Sequence, residues 1–254
     1  MKTLKKIGRA LLVAAFWLGV WALAAHQFGK PLLFPSPLAV LKTLWELLGT
    51  KDFYTATANS LINIFGGMIS AIFCACALAA LTAKVHLVRE LIHPVMALIK
   101  ATPVASFIIL MLLFLGPLKV PAFITFLIVL PIVWTNLDEG IENIDPQLKE
   151  VAKIYRFSLA KRLRVLILPS VKPYFLSACK TSIGLAWKAG VAAEIIAMPK
   201  DTIGTMIGEA KLYIMSAEMF AWTLTVVLLS LAIEFGVSYL FAKLAGSKAQ
   251  KEVA

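Results

Sequence analysis

The chain has 254 residues, 60% of them hydrophobic and 15% charged, with a mean hydropathy of +0.86. That balance excludes a soluble globular domain and fits one polytopic membrane domain over residues 1–254. A net charge of +11 would suggest nucleic acid in a soluble protein, but here the cations cluster in short loops beside apolar runs, where they set orientation. No nucleic-acid partner is expected.

A helix crossing about 30 Å of hydrocarbon needs roughly 20 apolar residues. Runs that meet this predict an all-α fold of about six transmembrane helices. The first run, 10–28, follows Lys2, Lys5, Lys6 and Arg9; it is long for a signal-peptide core and no clean cleavage site follows, so a retained helix is expected. The turn Leu33-Phe34-Pro35-Ser36-Pro37 then supplies a serine cap and a proline at the first helical position. The helix it starts, LAVLKTLWELL, is amphipathic and either lies on the outer surface or packs across the outer end of the bundle; packing is the preferred reading. The second run, 61–82, carries Asn63, and the third, 91–116, contains His93, Pro94, Lys100 and Pro103, so its first part is bent or interfacial. Gly116-Pro117-Leu118-Lys119 suits a tight reversal into the fourth run, 120–137. A basic loop, 138–172, separates it from the fifth run, 173–198; the sixth is 220–242. The glycine-bearing stretch 199–217 reads as a loop that re-enters or lines the outer mouth of a cavity.

With six spans, most of the cations fall on one side: the N-terminal group, Lys84 and Arg89, the 138–172 loop and the C-terminal Lys243, Lys248 and Lys251. Lys30, Lys42, Lys51, Lys119, Lys200 and Lys211 fall on the other. The positive-inside rule therefore places both termini and the basic loop in the cytoplasm.

That loop parses as helix, turn, helix. Asp145-Pro146 supplies a cap and a first-turn proline for QLKEVAKIYR; Phe157-Ser158 breaks it; Ser158 caps LAKRLRVLIL, which Pro169 ends. Val151, Ile154 and Tyr155 share a helical face suited to anchoring on the bundle, while Lys153, Arg156, Lys161, Arg162 and Arg164 face a partner or lipid. By composition alone, docking and a purely topological role are evenly matched.

No G-x-x-x-x-G-K-[ST] phosphate loop, H-E-x-x-H or G-x-S-x-G occurs, and His26, His86 and His93 are scattered, so neither catalytic residues nor a metal site is expected. Cys74, Cys76 and Cys179 lie in apolar runs and read as small buried hydrophobes. Function is sought instead among polar groups within the spans. Lys180, Lys188, Glu194 and Glu234 should face protein or water rather than lipid, as a translocation path or as packing residues near helix ends. Asn63, Thr102 and Ser106 are candidate path-lining residues. Ala178, Ser182, Ala186 and Gly190, at intervals of four, form a small-residue stripe that also meets Glu194, suited to a subunit interface or a path.

Glu150-Val151-Ala152, Leu166 and Leu168-Pro169 keep the spacing of the signature E-A-A-x3-G-x9-I-x-L-P, and the chain resembles the permease subunits of ABC importers that carry it. Leu33 to Pro37, Lys100-Ala101-Thr102-Pro103, Asn143-Ile144-Asp145-Pro146 and Gly184-Leu185-Ala186-Trp187 through Ala193-Glu194 are similar to the nitrate, sulfonate and taurine branch. The resemblance implies a bacterial inner-membrane subunit paired with a second permease subunit, either a copy of this chain, the favoured reading, or a different one. It also implies two cytoplasmic ATPases, which bind the ATP, and an external binding protein that delivers a small anion such as a sulfonate. The chain itself would need no cofactor. In this reading Ser158, Leu159, Ala160 and Lys161 form the apex that meets the ATPase, Glu150 braces the loop, and Arg156 and Arg162 pair with acidic groove residues; Ala152 and Phe157 complete the docking segment. Arg156 stands at the signature's glycine. Either the turn shifts to Phe157-Ser158 or Arg156 takes helical angles and lengthens the first helix. The rival is an ion-coupled secondary transporter working through Lys188, Glu194 and Glu234; the chain shows no inverted repeat in its favour.

Overall fold

Capping side chains set five of the helix starts among the described residues, those of Ser36, Thr50, Asp145, Ser158 and Thr202. The computed structural model describes residues 2–249, so Lys251 of the C-terminal cationic group lies outside the described residues. Helix α1, Lys2–Phe28, ends before Gly29, whose φ of 57° turns the chain. Trp21 Nε1 donates to the carbonyl of Pro35 at 3.2 Å and holds the following turn against α1. Ser36 Oγ then accepts from Ala39 N at 3.3 Å and starts α2, Pro37–Leu48, and Thr50 Oγ1 accepts from Phe53 N at 3.3 Å to start α3, Lys51–Thr82. Helix α2 lays Val40, Leu44 and Leu47 on the bundle and packs against α3 and α11, Ser216–Ala249.

The 91–116 run is not one helix. It divides into α4, His86–Ala101, and α5, Val104–Leu115, which meet at 104°. Pro103 offers no N–H and pushes its predecessor out of the helical region; Thr102 has a ψ of 131°. Pro94, by contrast, stays inside α4.

Helix α6, Val120–Glu142, is the centre of the molecule and packs along both α3 and α9, Leu168–Ala197. Val129, Val133 and Trp134 on α6 are buried against Ala71 and Ala75 of α3 and Ala178 and Ala186 of α9. Small residues on the two outer helices let the backbones close in on the larger α6 side chains. The stripe Ala178, Ser182, Ala186, Gly190, Glu194 is therefore consumed inside the chain and offers no surface to a second subunit. At Gly190 a Cβ would stand 2.5 Å from Ile64 Cγ1.

After α6 come α7, Pro146–Ile154, α8, Leu159–Arg162, and a π turn, Leu163–Ile167, that runs without interruption into α9. Pro169 thus begins α9 rather than ending a helix, and the fifth helix starts at Leu168, not at 173. The π turn explains why: Leu168 N donates to Leu163 O, and this wider turn loosens the ladder where proline removes an N–H and crowds the preceding turn. Helix α10, Ile203–Leu212, returns from the end of α9 and is followed by α11.

Three described helices are long and apolar enough to cross a membrane, 51–82, 120–142 and 216–241; the bent α4–α5 pair would make a fourth. The apolar part of α1, Leu12–Phe28, is shorter. Helix α9 has 30 residues but carries Lys172, Lys180, Lys188 and Glu194.

Candidate functional site

The basic loop is built on the last turns of α6. Arg89, on α4, donates Nε to Asp138 Oδ1 at 3.0 Å and Nη2 to Oδ2 at 2.7 Å, and its Nη1 pairs with Glu142. A bidentate arginine fixes orientation as well as distance, so α4 and the base of the loop are clamped together. Lys149 Nζ donates to the Glu142 carbonyl at 3.3 Å, and Asp145 Oδ1 accepts from Gln147 N at 2.8 Å, capping α7.

Helix α7 ends in a Schellman turn. Phe157 N donates to Ala152 O at 3.0 Å and Arg156 N to Lys153 O at 3.1 Å, which leaves Arg156 with a φ of 46°. The turn therefore stays at the signature's glycine position, and Arg156 takes the left-handed backbone itself; neither sequence-based alternative holds. The contact that usually accompanies this turn is present, since Phe157 and Ala152 join Ile144, Leu166 and Ile167 in one apolar cluster. Burying Ala152, Leu166 and Ile144 compensates the left-handed strain of about 1 kcal/mol. Ser158 Oγ next accepts from Lys161 N at 3.4 Å and starts α8, while Lys161 Nζ lies 4.2 Å from the Phe157 ring centroid.

The anchoring residues are thus not those expected. Ile154 and Tyr155 are 75% and 73% exposed, and Val151 is exposed too; Ala152, Phe157 and Leu166 hold the loop instead. Ser158, Leu159 and Ala160 are exposed at the turn into α8, as are Lys153, Arg156, Lys161 and Arg162. A cavity of about 440 Å³ lies between α7 and α8, lined by Lys149, Glu150, Lys153, Arg156, Phe157 and Arg162. Glu150 is exposed and forms no ion pair among the described residues. The arrangement is a clamped scaffold presenting exposed apolar side chains among exposed cations.

The second polar centre is Glu194, which is fully enclosed. Its Oε2 accepts from Ser60 Oγ at 2.7 Å and from Gly204 N at 3.1 Å, while Ser60 Oγ accepts from Ile203 N at 2.9 Å. Two N–H groups at the start of α10 are thereby satisfied from α3 and α9, and the helix terminus faces a carboxylate. Gly204 is required there, because a Cβ would lie 2.2 Å from Glu194 Cβ. Glu194 therefore faces neither a path nor a second subunit but ties three helices together.

Of the other candidates, Asn63 is half-buried on α3, Thr102 sits at the α4–α5 bend with Oγ1 donating to Leu98 O at 2.8 Å, and Ser106 and Lys188 are exposed on α5 and α9. No hydrogen bond or ion pair among the described residues joins them. Ser60, Gly204 and the Arg89–Asp138–Glu142 clamp were not singled out by sequence. The spacing of Asp138 and Glu142, one helical turn apart beside a basic loop, was the available signal for the clamp; nothing local marks Ser60.

Residues 67–246 match the family described as binding-protein-dependent transport system inner membrane component. The chain belongs to that family. It is an ABC transporter permease of the inner membrane, a class of transport subunit rather than of enzyme. It is 24% identical over 245 residues to the taurine transport system permease protein TauC of Escherichia coli (strain K12), covering 94% of this chain and 87% of TauC. It is 25% identical over 213 residues to the nitrate import permease protein NrtB of Leptolyngbya laminosa, covering 76% of this chain and 72% of NrtB. A chain of a bacterial alginate ABC transporter, crystallised with an alginate pentasaccharide-bound periplasmic protein, has the same fold, with a TM-score of 0.66 at 16% identity over 94% of this permease and 97% of that chain.

Proposed function

We propose that this permease imports a small anion, of the sulfonate, taurine or nitrate kind, handed over by an external binding protein and driven by two cytoplasmic ATPases. Two copies of the chain pair in the membrane, each with six spans and both termini in the cytoplasm. The chain holds no cofactor; ATP belongs to the ATPases. The relatives that handle taurine and nitrate support an anionic cargo. The observation that carries the coupling role is the apex of the basic loop: Leu159, Ile154 and Tyr155 stand exposed in an aqueous loop that is otherwise clamped, among exposed cations. Exposed apolar side chains on a rigid support fit a partner groove with an acidic rim.

On this reading Ser158, Leu159, Ala160 and Lys161 enter the ATPase groove, with Arg156 and Arg162 pairing at its rim, and closure of the ATPases moves the loop. The Arg89 clamp passes that motion to α4, and the α4–α5 bend carries it to Thr102 and Ser106, which line the path with Asn63 and Lys188. The test is uptake in proteoliposomes holding the permease with its ATPase and binding protein. Uptake should stop on ATP depletion and survive collapse of the proton gradient. Uptake that survives ATP depletion while a proton gradient persists would favour ion coupling instead.

A further inference from the structure

The exposed faces of the long helices differ in kind. On α3, Ile62, Ile69 and Phe73 are exposed, and on α11 Val227, Leu228, Leu231, Phe235 and Tyr239; these are surfaces for lipid. The exposed face of α9 carries Ser177, Lys180, Thr181 and Lys188 beside Leu185, with Ile196 exposed further along the helix. A charged side chain facing hydrocarbon in mid-membrane costs about 2.5 to 3.5 kcal/mol on insertion scales, so two lysines make a lipid-facing position for this surface untenable.

Lys180 and Lys188 are two helical turns apart on neighbouring positions of that face, roughly 12 Å along the axis. Between them Gly184 keeps the wall low: a Cβ there would stand 2.6 Å from Glu234 Oε1 of α11. The result is a cavity of about 220 Å³ whose polar lining is Lys180, Thr181, Lys188, Glu234 and Ser238, the rest being Gly184 and the apolar Ile183, Leu185 and Val237. Ser230 Oγ donates to Glu234 Oε1 at 3.4 Å, whereas neither lysine has an ion-pair or hydrogen-bond partner among the described residues. Two cations against one carboxylate leave the cavity with an excess positive charge.

We propose that this α9–α11 cavity is a transient binding subsite for a small oxoanion, a sulfonate, nitrate or carboxylate group held by the ammonium groups of Lys180 and Lys188. Ser238 supplies a hydroxyl donor, whereas Thr181 Oγ1 donates to the Ser177 carbonyl at 3.1 Å and only lines the wall. Glu234 lowers the net attraction, so an anion is concentrated in the cavity but not trapped, as a transport route requires. The proposal deepens the importer reading by naming residues that recognise the cargo, and it rests on that reading only for the identity of the cargo.

The test uses the full-length permease in membrane vesicles, with Cys74, Cys76 and Cys179 replaced and Thr181→Cys introduced. Its reaction with the anionic reagent sulfonatoethyl methanethiosulfonate is compared with that of the cationic trimethylammonium analogue. The anionic reagent should react faster, and Lys180→Gln with Lys188→Gln should lower the anion-to-cation rate ratio about tenfold, as local cations raise anion encounter rates by at least that factor. Arginine at both positions should preserve the ratio and controls for folding. No reaction with either reagent, from lipid exposure or from a second copy sealing the face, would overturn the subsite, as would a ratio indifferent to the glutamines. Importer failure is distinguishable: uptake insensitive to ATP would contradict the ATP-driven mechanism while leaving this ratio unchanged.

Discussion

Arg156 shows how far a single residue departs from its local preference when the surroundings insist. Its φ of 46° is a conformation that glycine adopts freely and residues with a Cβ do not. Arg156→Gly should therefore raise the thermal midpoint in detergent, by a stabilisation of about 1 kcal/mol, while Arg156→Val should lower it. At the other end of the molecule, Ser60 and Glu194 are 134 positions apart in sequence and 2.7 Å apart in space. Ser60→Ala leaves a buried carboxylate and the Ile203 N–H short of partners and should cost about 1 to 3 kcal/mol, read as a lower unfolding midpoint. Gly204→Ala should prevent α10 from docking, seen as rapid amide exchange across 203–212. The caps Ser36, Asp145 and Ser158 were legible in sequence because each acts on a backbone N–H two or three residues away. The Arg156 backbone and the Glu194 network were not, because their causes lie in distant elements.

Among elements, the loop and α9 form one continuous lever. The π turn at Leu163–Ile167 allows α8 to feed into α9 past Pro169 while Leu166 stays in the cluster with Ile144 and Ala152. Deleting one residue within this turn would restore α-helical spacing and rotate α8 by roughly 100° relative to α9. The apex should then point away from its partner, giving a folded permease that no longer stimulates ATP hydrolysis. The clamp on α4 is tested separately. Arg89→Ala leaves Asp138, 7% exposed, without its cation and should free α4, measurable as faster amide exchange in 86–101. Sequence located the loop's two helices by their caps, but the same periodicity pointed to Val151, Ile154 and Tyr155 as anchors. An amphipathic pattern identifies an apolar face without saying whether this chain or another covers it.

For the whole molecule, hydropathy identified a polytopic membrane protein, and the spacing from Glu150 to Pro169 identified its family. What it could not foresee was the division of labour among the spans: α6 at the centre, α9 tightly packed on one side and largely polar on the other, α11 at the edge, burying Ala221, Trp222 and Thr225 and exposing much of its later length. Charged residues in an apolar run look alike in sequence whether they are locked in a core, as Glu194 is, or stand in an open cavity, as Lys188 does. The central claim is that the loop apex is the mechanical contact with the ATPase. It is tested most directly by Ala160→Cys, with Cys74, Cys76 and Cys179 replaced, paired with a cysteine in the ATPase groove of the assembled transporter. The account predicts a disulfide cross-link that forms in high yield and blocks uptake until it is reduced. An intact, transporting complex in which position 160 reaches no ATPase cysteine would contradict it.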